Sequence, residues 1–235
     1  MRRVDTQILT KEDIERPRSP DEFVIWVDKK YKELESPAMR ESIRSRSGLI
    51  KKFVEEILPL KLFVKKEFQG RSDIQVLPKL DKQNFDAEIV DVCHTLRVEI
   101  TYAKDGYDES LRFEVLPKER FVSFYASIAR VSGRRGSPDS SIEIGQDTMV
   151  CRDRTVKEYL NLLQKRIAKK ANRCYGPNCI LLVAVDDSVV FRKSCDLEML
   201  DRLVYEELLK LSLDFQRMVL IGISGVLYRS YDIKN

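Results

Sequence analysis

The stretch FDAEIVDVCHTLRVEITY, residues 85–102, constrains this chain more than any other. Phe85, Ala87 and Ile89 alternate with Asp86, Glu88 and Val90; Leu96, Val98 and Ile100 alternate with Arg97, Glu99 and Thr101. Period-two alternation in both arms predicts a β-hairpin buried on one face. With residues 91–94 as a four-residue loop, Val90 faces Thr95, Glu88 faces Arg97 and Asp86 faces Glu99. Residues directly opposite bring their Cβ atoms to roughly 5 Å. Glu88 with Arg97 is a neutralising pair. Asp86 with Glu99 is not, because like charges placed opposite each other destabilise a sheet. A hard divalent cation, which takes carboxylate oxygens, would remove that penalty. A slip of one residue would bury the charges, so the face is fixed even if the pairing moves by two.

At 235 residues the chain is long enough for one substantial core. With 43% hydrophobic and 34% charged residues it reads as an ordinary globular chain with a highly charged surface. A net charge of +4 is too mild to demand nucleic acid, yet it permits it. No apolar run approaches the roughly 20 residues a membrane helix needs, so no membrane partner is expected. The first residues lack an apolar signal core. Five scattered cysteines without a CxxC pair favour a reduced, cytoplasmic location. A single histidine, His94, argues against zinc but not against carboxylate and magnesium chemistry.

Residues 1–18 are polar and are expected to be a flexible N-terminal arm, leaving 19–235 as one domain. Ser19, Pro20 and Glu22 carry a capping box and a proline suited to the first helical position. Ser36-Pro37 repeats the start signal for a second helix, expected to end near Leu58 because Pro59 follows. Its exposed side is basic, with Lys51 and Lys52, and Glu55 and Glu56 fall in its last turn. Acids there oppose the helix dipole. Residues 62–64 and 73–77 read as strands. Beyond the central hairpin, an inserted hairpin is expected at about 118–150, its basic tip carrying Arg134 and Arg135. A helix starting at Asp153 or Thr155 and running to about Arg173 has Leu160, Leu163, Ile167 and Ala171 as its stripe, with Lys165, Lys169 and Lys170 on its other faces. The unbroken apolar run CILLVAV, residues 179–185, reads as a strand covered on both sides. A helix over 196–213 and a strand over 218–228 finish the chain. The pattern predicts an α/β (α+β) fold with a mixed central sheet flanked by helices.

A helix ending in glutamate, a strand with Asp86, a strand with Glu99-Ile100-Thr101, then a helix and a buried strand resembles the PD-(D/E)XK nuclease superfamily, the restriction-endonuclease-like fold. The resemblance spans roughly residues 36–185. It implies that Asp86 and Glu99 bind Mg²⁺ or Mn²⁺, with Glu56 as a third ligand and Glu55 next to it as the alternative. Phe85 stands where that motif often has proline, and Thr101 stands where it has lysine. An E-x-T triplet looks like the variant in the cap-snatching endonucleases of segmented RNA viruses, in which a lysine from a later helix serves. Lys104, Lys165 and Lys169 are the candidates for that role. The expectation is a metal-dependent nuclease cleaving phosphodiester bonds in DNA or RNA, with Arg134, Arg135, Lys51 and Lys52 contacting nucleic acid. The rival is an inactive member of the same fold that binds a protein partner, a second copy of itself or nucleic acid.

Overall fold

The computed structural model describes residues 8–36, 39, 48–81, 83–104, 111, 112, 114, 115, 126–134, 137, 139–147, 152–188 and 190–233. A six-stranded sheet lies at the centre, in the order β1 (Gln75–Pro78), β2 (Ala87–Val90), β3 (Thr95–Tyr102), β6 (Cys179–Val185), β7 (Arg217–Gly222) and β8 (Tyr228–Asp232). Strand β2 is antiparallel to both β1 and β3, while β3, β6 and β7 run parallel, and β8 is antiparallel to β7. The mixed sheet flanked by helices is the architecture the sequence pattern predicts. A separate hairpin, β4 (Ala126–Ser132) with β5 (Ser141–Asp147), forms its own two-stranded sheet over a small cluster of Leu111, Val115 and Ile128. The helices are α1 (Lys11–Glu15), α2 (Pro20–Leu34), α3 (Gly48–Lys52), α4 (Leu58–Phe68), α5 (Arg152–Ala168) and α6 (Ser194–Glu206).

Strand β6 shows why its run of apolar residues is unbroken. Ile180, Leu182 and Ala184 enter one core, against Phe23 and Val27 of α2, Ile50 of α3 and Leu60 and Phe63 of α4. Cys179, Leu181, Val183 and Val185 enter a second core, against Leu160, Leu163 and Ile167 of α5 and Leu200 and Val204 of α6. Successive side chains of a strand point to opposite faces, so a strand covered on both sides must be apolar at every position. Among the described residues, the second core draws on β6, β7 and β8 but on none of β1, β2 or β3. Strand β3 buries Val98 and Ile100 in the first core. Its other face, carrying Arg97, Glu99 and Thr101, therefore borders a polar region beside α5.

Several expectations are corrected. Residues 8–18 are not a loose arm. Leu9 and Ile14 are fully buried, and Arg18 exchanges backbone hydrogen bonds with Val76, which extends the sheet beyond β1. The sequence there is polar because only one side of α1 is covered. The capping box at Ser19 and Glu22 is present, with Pro20 opening α2. Pro59 does not end its helix, and residues 62–64 are not a strand; they lie in α4, which runs on to Phe68. In a regular helix the Pro59 ring would strike the carbonyl of Glu55 four residues back. The helix instead widens into a π-turn over Phe53–Ile57, where the Leu58 N–H donates to the Phe53 carbonyl. Glu55 and Glu56 are consequently mid-helix, and the conflict with the helix dipole disappears. The last strand is two: β7 and β8 are joined by a turn in which Gly222 N–H donates to the Leu227 carbonyl and Gly225 has φ of +78°. Helix α6 stops at Glu206 and is followed by a 3₁₀ turn, Leu208–Lys210. The expected second-helix start at Pro37 lies outside the described residues.

Candidate active site

The central hairpin has the register its alternation requires: Glu88 pairs with Arg97 and Val90 with Thr95. Asp86 sits one residue before β2. Its N–H donates to the Val98 carbonyl at 2.8 Å, and its carbonyl accepts from Lys79 N–H at 2.8 Å. Its side chain turns across to β3, where Oδ2 accepts from the Ile100 N–H at 2.8 Å. That bond fixes the Asp86 carboxylate beside Glu99, which is 9% exposed.

The electrostatics follow from this placement. Burial pushes Asp86 above the ordinary carboxylate value. Burial and then the Asp86 charge push Glu99 up to about 7, against the opposing pull of Lys170 and Arg173. Glu56, from the π-turn, is raised to about 7 by burial and then by the Asp86 charge. Its Oε2 is buried and has no hydrogen-bond donor; Lys52 Nζ, at 3.6 Å, is close enough for charge attraction but too far for a hydrogen bond. Three acids each hold a proton more tightly than normal because each loses water and two of them feel the charge of Asp86. Perturbation of this kind clusters at functional sites.

The cations are not those that sequence reasoning named. Lys170 Nζ donates directly to Glu99 Oε1. Lys165 and Lys169 are exposed on the neighbouring positions. Lys104 is turned to the helix acid instead, donating to Glu55 Oε1 at 2.6 Å. Lys170 lies three residues beyond Ile167, so it continues the buried side of α5 rather than the solvated faces; that spacing is the signal that could have found it. Thr101 pairs with Val183 in the sheet.

The segment that follows Lys170, residues 174–178, is pinned from three sides. Arg97 N–H donates to the Asn178 carbonyl at 2.8 Å, Asn84 Nδ2 to the Cys174 carbonyl at 2.7 Å, and Tyr175 and Gly176 N–H both to Asp214 Oδ2 at 2.6 and 3.0 Å. Tyr175 and Cys179 border Glu99; burial and then its charge hold each of their acidities at about 12.

Lys52 pairs with Glu56 and Lys51 lies 4.0 Å from Glu55, so both flank the acids rather than forming a separate track. Arg134 is exposed at the tip of the β4–β5 hairpin, remote in the chain from the acids and held in a turn by Ser137. Arg135 lies outside the described residues. Cys93 and His94 are exposed in the β2–β3 turn, where Asp91 Oδ1 accepts from both of their N–H groups.

Among the described residues, no group of three or more His, Cys, Asp and Glu side chains is gathered closely enough to hold a metal ion as it stands. The donor set is nonetheless suited to a hard divalent ion: carboxylate oxygens only, one of them a buried oxygen without a donor. Among the described residues, no helix is long and apolar enough to cross a membrane. No family model matches this chain, and no curated protein or solved structure matches it.

Proposed function

We propose that this chain is a metal-dependent phosphodiesterase of nuclease type, acting on DNA or RNA at the acids of the β2–β3 hairpin. The observation that carries the reading is the convergence of Asp86, Glu99 and Lys170, with Glu56 beside them and one of its oxygens lacking a donor. The resemblance of the chain to the PD-(D/E)XK superfamily points the same way, with Lys170, just after α5, as our candidate for the lysine of an E-x-T triplet. Asp86 and Glu99 would hold Mg²⁺ or Mn²⁺, with Glu56 as the third carboxylate. A bound ion of this kind supplies charge neutralisation at the phosphate and a more acidic water.

The remaining work falls to side chains of the chain. Lys170, released from Glu99, donates to a phosphoryl oxygen where negative charge grows. Lys52 and Arg173 supply positive charge on the two sides of the acids, suited to the phosphates flanking the cleaved one. Free thiols at Cys93, Cys174 and Cys195, all exposed, suit a reducing compartment such as the cytoplasm.

The test is hydrolysis of labelled single- and double-stranded DNA and RNA with Mn²⁺, comparing the wild type with Glu99→Gln and Lys170→Met. Cleavage lost in both variants supports the reading; cleavage that survives Glu99→Gln, or none by the wild type on any substrate, removes it. One observation favours a second reading, a binding module without cleavage: Lys170 already neutralises Glu99 internally. That reading predicts salt-sensitive binding of nucleic acid, or capture of a protein partner, unaffected by Mn²⁺ and by Glu99→Gln.

A further inference from the structure

The helix that begins at Gly48 has its one irregularity, among the described residues, at the acids. The π-turn Phe53–Ile57 contains both Glu55 and Glu56, and both are largely covered, with side-chain exposures of 19% and 22%. Successive residues of a regular α-helix point about 100° apart, so two neighbouring acids cannot easily share an inward face. A turn closed by bonds to the fifth residue takes about one more residue, and its side chains fan out less. Here the two acids divide two tasks. Glu55 Oε1 accepts from Lys104 at 2.6 Å, which ties the turn to the segment just after β3. Glu56 keeps a buried oxygen without a donor, beside Asp86. Pro59, whose ring would strike the Glu55 carbonyl in a regular helix, favours the wide turn, and the two acids occupy the positions it opens.

We propose that the π-turn is the positioning device of the candidate site: its extra residue, anchored by Glu55 to Lys104, is what aims Glu56 at Asp86. Glu55 and Val54 are positioning residues, and neither touches substrate. The inference rests on the metal-site reading for its main readout but has one that does not.

The experiment deletes Val54, a member of the turn that carries no charge and is only partly buried, in a Pro59→Ala background so that a regular α-turn can close, with Pro59→Ala alone as the control. An α-turn uses one residue fewer over the same rotation, so the residues on either side keep their faces. Titration calorimetry with MnCl₂ is expected to show affinity weakened about 10-fold, to the level of E56Q, with an unchanged helical circular-dichroism spectrum; loss of an orienting contact typically has an effect of about that size. A folded deletion variant that binds Mn²⁺ like the wild type overturns the proposal. Where the deletion variant does not fold, Glu55→Gln decides: its loss of Mn²⁺ affinity should be present in the wild type and absent in the E56Q background, and additive losses overturn the proposal. If the wild type binds no Mn²⁺, the metal reading falls while the positioning claim is still judged. Asp86→Asn should then raise Tm in the wild type more than in the Val54 deletion or Glu55→Gln, and equal rises refute it.

Discussion

Glu56→Gln separates electrostatic from structural accounts of the site. In the folded protein Glu56 titrates near 7; its unperturbed value is 4.5. Between those two values the folded state binds more protons than the unfolded state, so stability falls as pH rises through that window. Below about pH 4.5 the acid is protonated in both states and costs nothing. Above about pH 7 the full cost of ionising a buried carboxylate beside Asp86 is present. At about 1.4 kcal/mol per unit, the upper bound is about 3.5 kcal/mol, and relaxation of the site reduces it to about 1–3 kcal/mol. Glutamine keeps the shape and removes the charge, and the loss of the partly exposed Lys52 pair offsets less than about 1 kcal/mol. The expected result is that, without metal, Glu56→Gln matches the wild type at pH 4.5 and melts about 3–10 °C higher at pH 8. Saturating Mn²⁺ should reverse the order at pH 8, because only the wild type gains from the ion. Scanning calorimetry at both pH values, with and without MnCl₂, is the assay. A variant less stable than the wild type at pH 8 without metal, or a difference that does not change with pH, refutes the reasoning.

Lys170→Met should reduce turnover of a nucleic-acid substrate by about 10²–10³-fold, as loss of one transition-state donor does elsewhere, while Lys165→Met and Lys169→Met leave it within about 2-fold; single-turnover kinetics distinguish them. Asp86→Asn should abolish Mn²⁺-dependent cleavage without unfolding the chain, read by product gels beside a melting curve, because asparagine can still accept from the Ile100 N–H. Gly222→Ala should destabilise by several kcal/mol, measured by urea unfolding, since a Cβ there would fall 2.0 Å from Asp187 Oδ2, and that carboxylate, 2% exposed, holds the β7–β8 turn by accepting from Ser224 and Leu227.

The hairpin was legible because everything that decides it is local. A four-residue loop and a two-residue side-chain period leave few registers, and burying charge eliminates most of them. The covered strand at residues 179–185 and the capping box at Ser19 and Glu22 were legible for the same reason. The π-turn was not, because Pro59 is read as a stop when only propensity is weighed. It is a continuation because Leu60, Phe63 and Val64 beyond it are fully buried against the sheet, and that burial outweighs the proline's local penalty. The arm at residues 8–18 was misread in the same way: two buried side chains, Leu9 and Ile14, are too few for a periodic signal but enough to seat a segment on a sheet edge.

By itself, then, the sequence determined that Asp86 and Glu99 would share a face, since alternation and turn length act over a few residues. Only the tertiary structure decided which cation meets them. Of Lys165, Lys169 and Lys170, only Lys170 falls three residues beyond Ile167, but that Glu99 is what it meets is set by where α5 ends against the sheet, through Leu163 and Ile167 packing beside β6; Lys104, just after β3, turns to Glu55 instead. The same non-local packing strips water from three acids at once, and their raised proton affinity exists only once that packing has formed.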